Sequence, residues 1–143
     1  MTIAVDFDGT IVEDKYPKIG PEQPFATETL RMLMKEQHRL ILWTVREGDL
    51  LEEAINWCKE RGVEFFAVNK DYPEEKKEWN NYFSRKVKAD IFIDDRNIGG
   101  LPEWGQIYHM IHDGTTFTDY IAEASRKTLA DHKPPKKKHW WSK

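Results

Sequence analysis

Four short apolar runs constrain this chain more than anything else in it. Ile3-Ala4-Val5, Leu40-Ile41-Leu42-Trp43, Phe65-Phe66-Ala67-Val68 and Ile91-Phe92-Ile93 are continuous rather than alternating. An alternating run buries one face of a strand, whereas a continuous run buries both, as in a parallel sheet covered on each side. The stretches between them carry the helical period. Ala26, Leu30, Leu33 and Met34 recur at i, i+4, i+7 and i+8, behind a loop punctuated by Pro21 and Pro24. Leu51, Ala54, Ile55 and Cys58 recur at i, i+3, i+4 and i+7. Asp49 and Glu52 form a capping-box-like pair at the head of that second helix, and Gly62 ends it. Two further helical patterns follow the last run, around 103–111 and 117–129.

Strand alternating with helix is the rhythm of right-handed βαβ units. The expected fold is therefore α/β, a three-layer Rossmann-like domain with a central parallel sheet flanked by helices. At 143 residues the chain can bury one core but not two. That domain is expected to occupy 1–130, with a basic, mobile tail over 131–143. The tail holds five lysines against one aspartate, which leaves 17 basic and 24 acidic groups in the first 130 residues. So acidic a body is no polyanion binder by bulk charge, and any nucleic-acid role would fall to the tail or to a local patch. Trp140-Trp141 is unusual for a free tail, and docking on the domain or on another chain would account for it.

Other classes are excluded more simply. No apolar run approaches the roughly 18 residues of a membrane span, and the first residues show no secretion signal, so a cytoplasmic protein without a membrane partner is expected. A lone cysteine, Cys58, excludes an internal disulfide framework and a cysteine-built zinc site; it reads as packing on a helix face. The five histidines show no metal-ligand spacing. Trp43, Trp57, Trp79 and Trp104 read most simply as core or half-buried packing. Arg46 and Arg96 read equally as salt-bridged or solvated residues and as substrate ligands, and Asn69 and Asn97 as loop residues.

The chemistry concentrates at the ends of the runs. Asp6-Phe7-Asp8-Gly9-Thr10 directly follows the first run, at the carboxyl end of a strand, where open parallel sheets bind ligands. Asp6 and Asp8, two residues apart on extended backbone, point the same way. Close carboxylates repel unless a cation or proton lies between them. Asp94-Asp95 ends the fourth run in the same fashion, so several carboxylates converge on one edge. An oxygen-rich set of this kind suits Mg²⁺ better than zinc. Thr44 ends the second run, where a hydroxyl and backbone N–H groups near a helix start can hold a phosphate oxygen. Carboxylates, a cation, a hydroxyl and a basic residue together suit phosphoryl transfer through an aspartyl-phosphate.

Asp6-Phe7-Asp8-Gly9-Thr10, then Thr44, then a lysine, then Asp94-Asp95, in that order on successive strands, resembles the haloacid dehalogenase superfamily of phosphohydrolases. The likeness spans residues 3–96. It implies a nucleophile in Asp6, an acid and base in Asp8, a phosphoryl ligand in Thr44, and Mg²⁺ held by the Asp6 side chain, the Asp8 main-chain carbonyl and Asp94, with Asp95 ligating or supporting. The family's lysine aligns by spacing with Lys86, as a catalytic and phosphate-binding residue. Eight residues of extended chain before the Asp94 edge span up to roughly 26 Å, so Lys86 reaches the site only if the chain folds back. Lys70, just past the third run, is its competitor.

Neither 10–24 nor 69–89 is long enough to fold as a cap domain, so an open site is expected, covered at most by the loop around Tyr16 and Pro17. The expected activity is Mg²⁺-dependent hydrolysis of a phosphomonoester. Two alternatives stand beside it. One is a phosphatase acting on nucleotides or nucleic-acid ends, motivated by the tail and the open site. The other is a non-catalytic Mg²⁺-binding or phosphoacceptor module.

Overall fold

The structure is a computed structural model that describes residues 1–76 and 84–131. The lysine- and tryptophan-rich tail from His132 onward and Trp79 lie outside the described residues. The chain divides into two compact units, the first ending at Gln106 and the second beginning at Ile107.

The first unit holds a four-stranded sheet, all parallel, in the order β5-β4-β1-β6. Its strands are β1 (Thr2–Val5), β4 (Arg39–Leu42), β5 (Ala67–Val68) and β6 (Ile91–Ile93), each grown from one of the four apolar runs. The fold is α/β and Rossmann-like, as the runs imply. Ile3, Val5, Ile41 and Leu42 are fully buried, which explains why these runs do not alternate. Helices α1 (Ala26–Lys35) and α2 (Gly48–Glu60) carry the crossovers β1 to β4 and β4 to β5. Both crossovers run the same way across the sheet, so right-handedness places both helices on one face. Arg31 of α1 donates to the carbonyl of Arg61, just past the end of α2, at 2.7 Å. The return from β5 to β6 crosses the sheet, and Val87 there is buried against Ala4, Ile41 and Ala67.

Local rules hold in most places and fail in instructive ones. Gly62, at φ +77°, ends α2 as expected, its N–H donating to the Lys59 carbonyl at 3.0 Å. The capping box does not form. Glu47 takes the N-cap with no side-chain hydrogen bond, and Asp49 falls inside the first turn, where its charge still complements the helix dipole. Helix α1 is capped from outside: the Glu22 carboxylate accepts from the Thr27 N–H at 2.9 Å and from the Thr27 hydroxyl.

The larger departure is between residues 10 and 24. Instead of a loop, the chain forms an antiparallel hairpin of β2 (Val12–Lys15) and β3 (Lys18–Glu22), turning at Tyr16-Pro17 through a cis peptide bond. Its strands are mostly exposed and carry charged side chains, so they lack the apolar signature of the central sheet. Gly20 permits the pairing, because a Cβ there would lie 2.2 Å from the Glu13 carbonyl oxygen.

Helix α3 (Trp104–Asp113) starts in the first unit, and α4 (Phe117–Asp131) belongs to the second. Among the described residues no helix is long and apolar enough to cross a membrane. Of the tryptophans, Trp104 is buried, and Trp43 and Trp57 are half-buried. Cys58 is buried, and burial pushes its thiol up to about 12, so it stays a protonated packing group.

Candidate active site at the carboxyl edge of the sheet

Every strand of the sheet ends on a polar residue facing the same edge. In spatial order these are Asn69 after β5, Thr44 two residues past β4, Asp6 after β1 and Asp94 after β6. The parallel ladder continues into them: Asp6 N–H donates to the Ile93 carbonyl at 3.0 Å, and Trp43 N–H to the Val5 carbonyl at 2.8 Å. Asp6 and Asp94 thus straddle the point where strand order reverses, between β1 and β6.

Phe7 separates the two aspartates of the first motif and points away from them. It is fully buried, edge-on to Trp57 of α2 at 5.7 Å between ring centroids. The alternation leaves Asp6 and Asp8 on the solvent side of the same turn. Gly9 then turns the chain at φ +82°. A Cβ at this position would lie 2.3 Å from Oδ2 of Asp95, so the glycine admits the second acidic pair as well as the turn.

Asp6, Asp94 and Asp95 form one cluster, with one carboxylate oxygen from each lying within 4.8 Å of the others. Thr10, fully buried, knits it together. Its hydroxyl lies 3.4 Å from Asp6 Oδ2 and 3.2 Å from Asp95 Oδ1, and accepts the Asp95 N–H at 3.0 Å. Asp94 is fixed by its own turn, where Oδ1 accepts the Arg96 N–H at 2.9 Å. Burial first, and then the charges of Asp94 and Asp95, push the Asp6 carboxyl up to about 7, against the Phe7 N–H that favours its ionised form. Three converging carboxylate oxygens, one of them costly to ionise without a counter-charge, match the donor set of a hard divalent cation.

Asp8 has the opposite surroundings. Arg46, fully buried, grips it with a fork: Nε donates to Oδ2 and Nη2 to Oδ1, both at 2.7 Å. This pair holds the guanidinium above its ordinary pKa. Of the expected cation ligands, then, the Asp6 and Asp94 side chains come together with Asp95. The Asp8 side chain turns to Arg46 and leaves its main-chain carbonyl as the atom the resemblance assigns.

Asp6, Asp8, Thr44 and Asp94 line one cleft of about 260 Å³, completed by Trp43, Val45 and Arg96. Thr44 is held at both ends. Its N–H donates to Asn69 Oδ1 at 2.8 Å, and its hydroxyl accepts the Arg46 N–H at 3.2 Å. A hydroxyl that accepts from the backbone keeps its own proton to donate, and Thr44 lines the cleft. Asn69 reaches Thr44 from an unusual backbone conformation, φ +54°.

Among the described residues that line this cleft, neither Lys86 nor Lys70 appears. The chain does fold back before β6, as a reach by Lys86 requires, and Val87 packs on the sheet face. The Lys86 ammonium, however, lies over the Phe92 ring, 5.1 Å from its centroid. Arg46 and Asn69 are the participants that sequence reasoning left undecided or set aside as loop. The available signal was position, because both follow a strand at the edge that carries the aspartates.

The chain is similar to a conserved protein from Bacteroides thetaiotaomicron whose structure is solved, and belongs to that protein's family. The two are 67% identical with a TM-score of 0.78, over 84% of this chain and 96% of that one. No family model and no curated protein matches the sequence.

Proposed function

We propose that this protein is a Mg²⁺-dependent phosphomonoester hydrolase that works through a phosphorylated Asp6. The observation that carries the reading is a single cleft lined by Asp6, by its neighbour Asp94 and by Thr44. The resemblance to the haloacid dehalogenase superfamily, in the order of these residues along the chain, supports it. Asp6, Asp94 and Asp95 would hold the cation. When bound, it supplies positive charge that keeps Asp6 ionised and offsets the charge of the phosphate.

The chain's own residues carry the steps. Thr44 donates to a phosphoryl oxygen and fixes the phosphorus opposite Asp6. An Asp6 oxygen forms a bond to phosphorus as the ester P–O bond breaks, and the Asp8 carboxyl gives its proton to the departing oxygen. Water then attacks the phosphorus of phospho-Asp6 and gives a proton to Asp8 as the bond between phosphorus and the Asp6 oxygen breaks. Inorganic phosphate leaves and both carboxyl groups are restored.

Phosphate release from aryl and alkyl phosphates, measured with Mg²⁺ and with a chelator, tests the reading. Turnover that needs Mg²⁺ and disappears in Asp6→Asn is the expected result. Turnover that survives Asp6→Asn overturns it.

One observation favours a second reading, a phosphoacceptor module. Both Asp8 oxygens are engaged by Arg46, and a phospho-Asp6 with no free base beside it would persist. A phospho-protein stable for minutes in the wild type would favour that reading, and rapid phosphate release the enzyme.

A further inference from the structure

Arg46 is the only charged residue among the described ones that is fully buried, and all five of its N–H groups find acceptors. Two go to Asp8. Nη1 donates to the carbonyls of Pro17 and Leu50, each at 3.3 Å, and Nη2 also donates to the Lys18 carbonyl at 3.2 Å. Pro17 lies in the turn of the β2–β3 hairpin and Lys18 opens β3, and Leu50 lies in the first turn of α2. The guanidinium carbon lies 5.3 Å from the centroid of the Tyr16 ring, also in that turn, and 5.1 Å from that of Phe7. Three separate segments therefore close on one side chain.

We propose that Arg46 is a positioning residue that couples the hairpin turn to Asp8, so that one guanidinium sets both the orientation of the acid–base carboxyl and the seat of the hairpin. The inference rests on the phosphohydrolase reading. A bidentate fork fixes the plane of the carboxylate as well as its distance, which a lone cation does not. The same residue acts at the other end of the reaction, because its backbone N–H holds the Thr44 hydroxyl. A shift of the hairpin turn pulls on two of the five guanidinium bonds and so reaches Asp8 without touching Asp6 or its cation site.

The test separates protonation of the leaving group from every other contribution. An alkyl phosphate needs a proton on its departing oxygen, whereas 4-nitrophenyl phosphate releases a stable phenolate without one. Arg46→Lys keeps the charge and loses the fork. It is expected to lower kcat for the alkyl ester about tenfold more than for the aryl ester, with KM for both nearly unchanged. Equal losses on the two esters overturn the proposal.

Tyr16→Leu, at an exposed position, loosens only the hairpin side of the grip. It is expected to show the same bias at smaller size, so the proposal remains open to refutation if Arg46→Lys fails to fold. If the wild type hydrolyses neither ester, the phosphohydrolase reading falls by itself. The coupling is then read from amide hydrogen exchange, which is expected to quicken across 13–20 in both Arg46→Lys and Asp8→Asn. Unchanged hairpin exchange in both variants overturns the coupling.

Discussion

Asp6 and Asp8 leave the same strand two residues apart, and the protein treats them in opposite ways. Asp6 is placed among its own kind, within 4.8 Å of Asp94 and Asp95. Asp8 is given a buried arginine, two 2.7 Å bonds, and no acidic neighbour in that cluster. The comparison teaches that burial near a ligand edge does not define an aspartate's job; its counter-charge does. Asp8 has that charge within the chain, whereas the proposed function gives Asp6 one from a bound cation.

The sharpest way to break the comparison is to exchange which aspartate is lost. If the two have separate tasks, Asp8→Asn retains a phosphorylated protein after brief exposure to an activated aryl phosphate, and Asp6→Asn retains none. The lifetime of that species is expected to lengthen by about 10²-fold or more, the usual size of an acid–base contribution. Mass spectrometry of quenched samples reads it directly, and label on Asp6→Asn would end the assignment.

Stability offers the next largest effect. Removing one partner of a buried pair strands the other, so Arg46→Ala and Asp8→Ala are each expected to lose about 3–5 kcal/mol in denaturant unfolding. Asp8→Ala combined with Arg46→Ala removes both charges and is expected to lose clearly less than the sum of the two single losses. Additive losses in the double variant would mean that the pair is not the unit we describe.

Gly9→Ala strikes the acidic side instead. The new methyl collides with the Asp95 carboxylate at a backbone angle that suits glycine. A loss of about 1–3 kcal/mol is expected, together with weaker Mg²⁺ binding by calorimetry. Unaltered Mg²⁺ affinity would separate Asp95 from the cation site.

The last effect is a pH dependence. Asp6 has a folded pKa of about 7 against an ordinary 3.8, so between those values the folded state holds more proton than the unfolded one. Metal-free protein should therefore lose stability as pH rises from about 4 to about 7. Asp6→Asn should flatten that slope, and Mg²⁺ should stabilise most above pH 7, where no proton competes for the site. Melting temperatures across pH, with and without Mg²⁺, check all three.

Much of this was legible in the sequence because it is local. Continuous apolar runs mark buried strands, and whatever follows a run stands at the carboxyl edge, so Asp6, Thr44 and Asp94 could be placed there. What was not legible depends on distant partners. Arg46 reads equally as a solvated or salt-bridged residue and as a substrate ligand until Asp8, 38 residues away, and the carbonyls of Pro17 and Lys18 close around it. Asn69 reads as loop because its link to Thr44 depends on a positive φ. The hairpin was missed for another reason: its strands are polar, and a pattern built to detect core strands passes over them.

The register of the sheet also bears on how such a protein can change over generations. The carboxylate cluster and Thr44 stand within two residues of a strand end, so their placement is inherited from the sheet itself. The hairpin's turn is held against that framework by the Arg46 side chain. Its turn and outer strands can be lengthened, shortened or exchanged while β1, β4 and β6 keep their register. A lineage is therefore free to redraw the hairpin without rewriting the cleft.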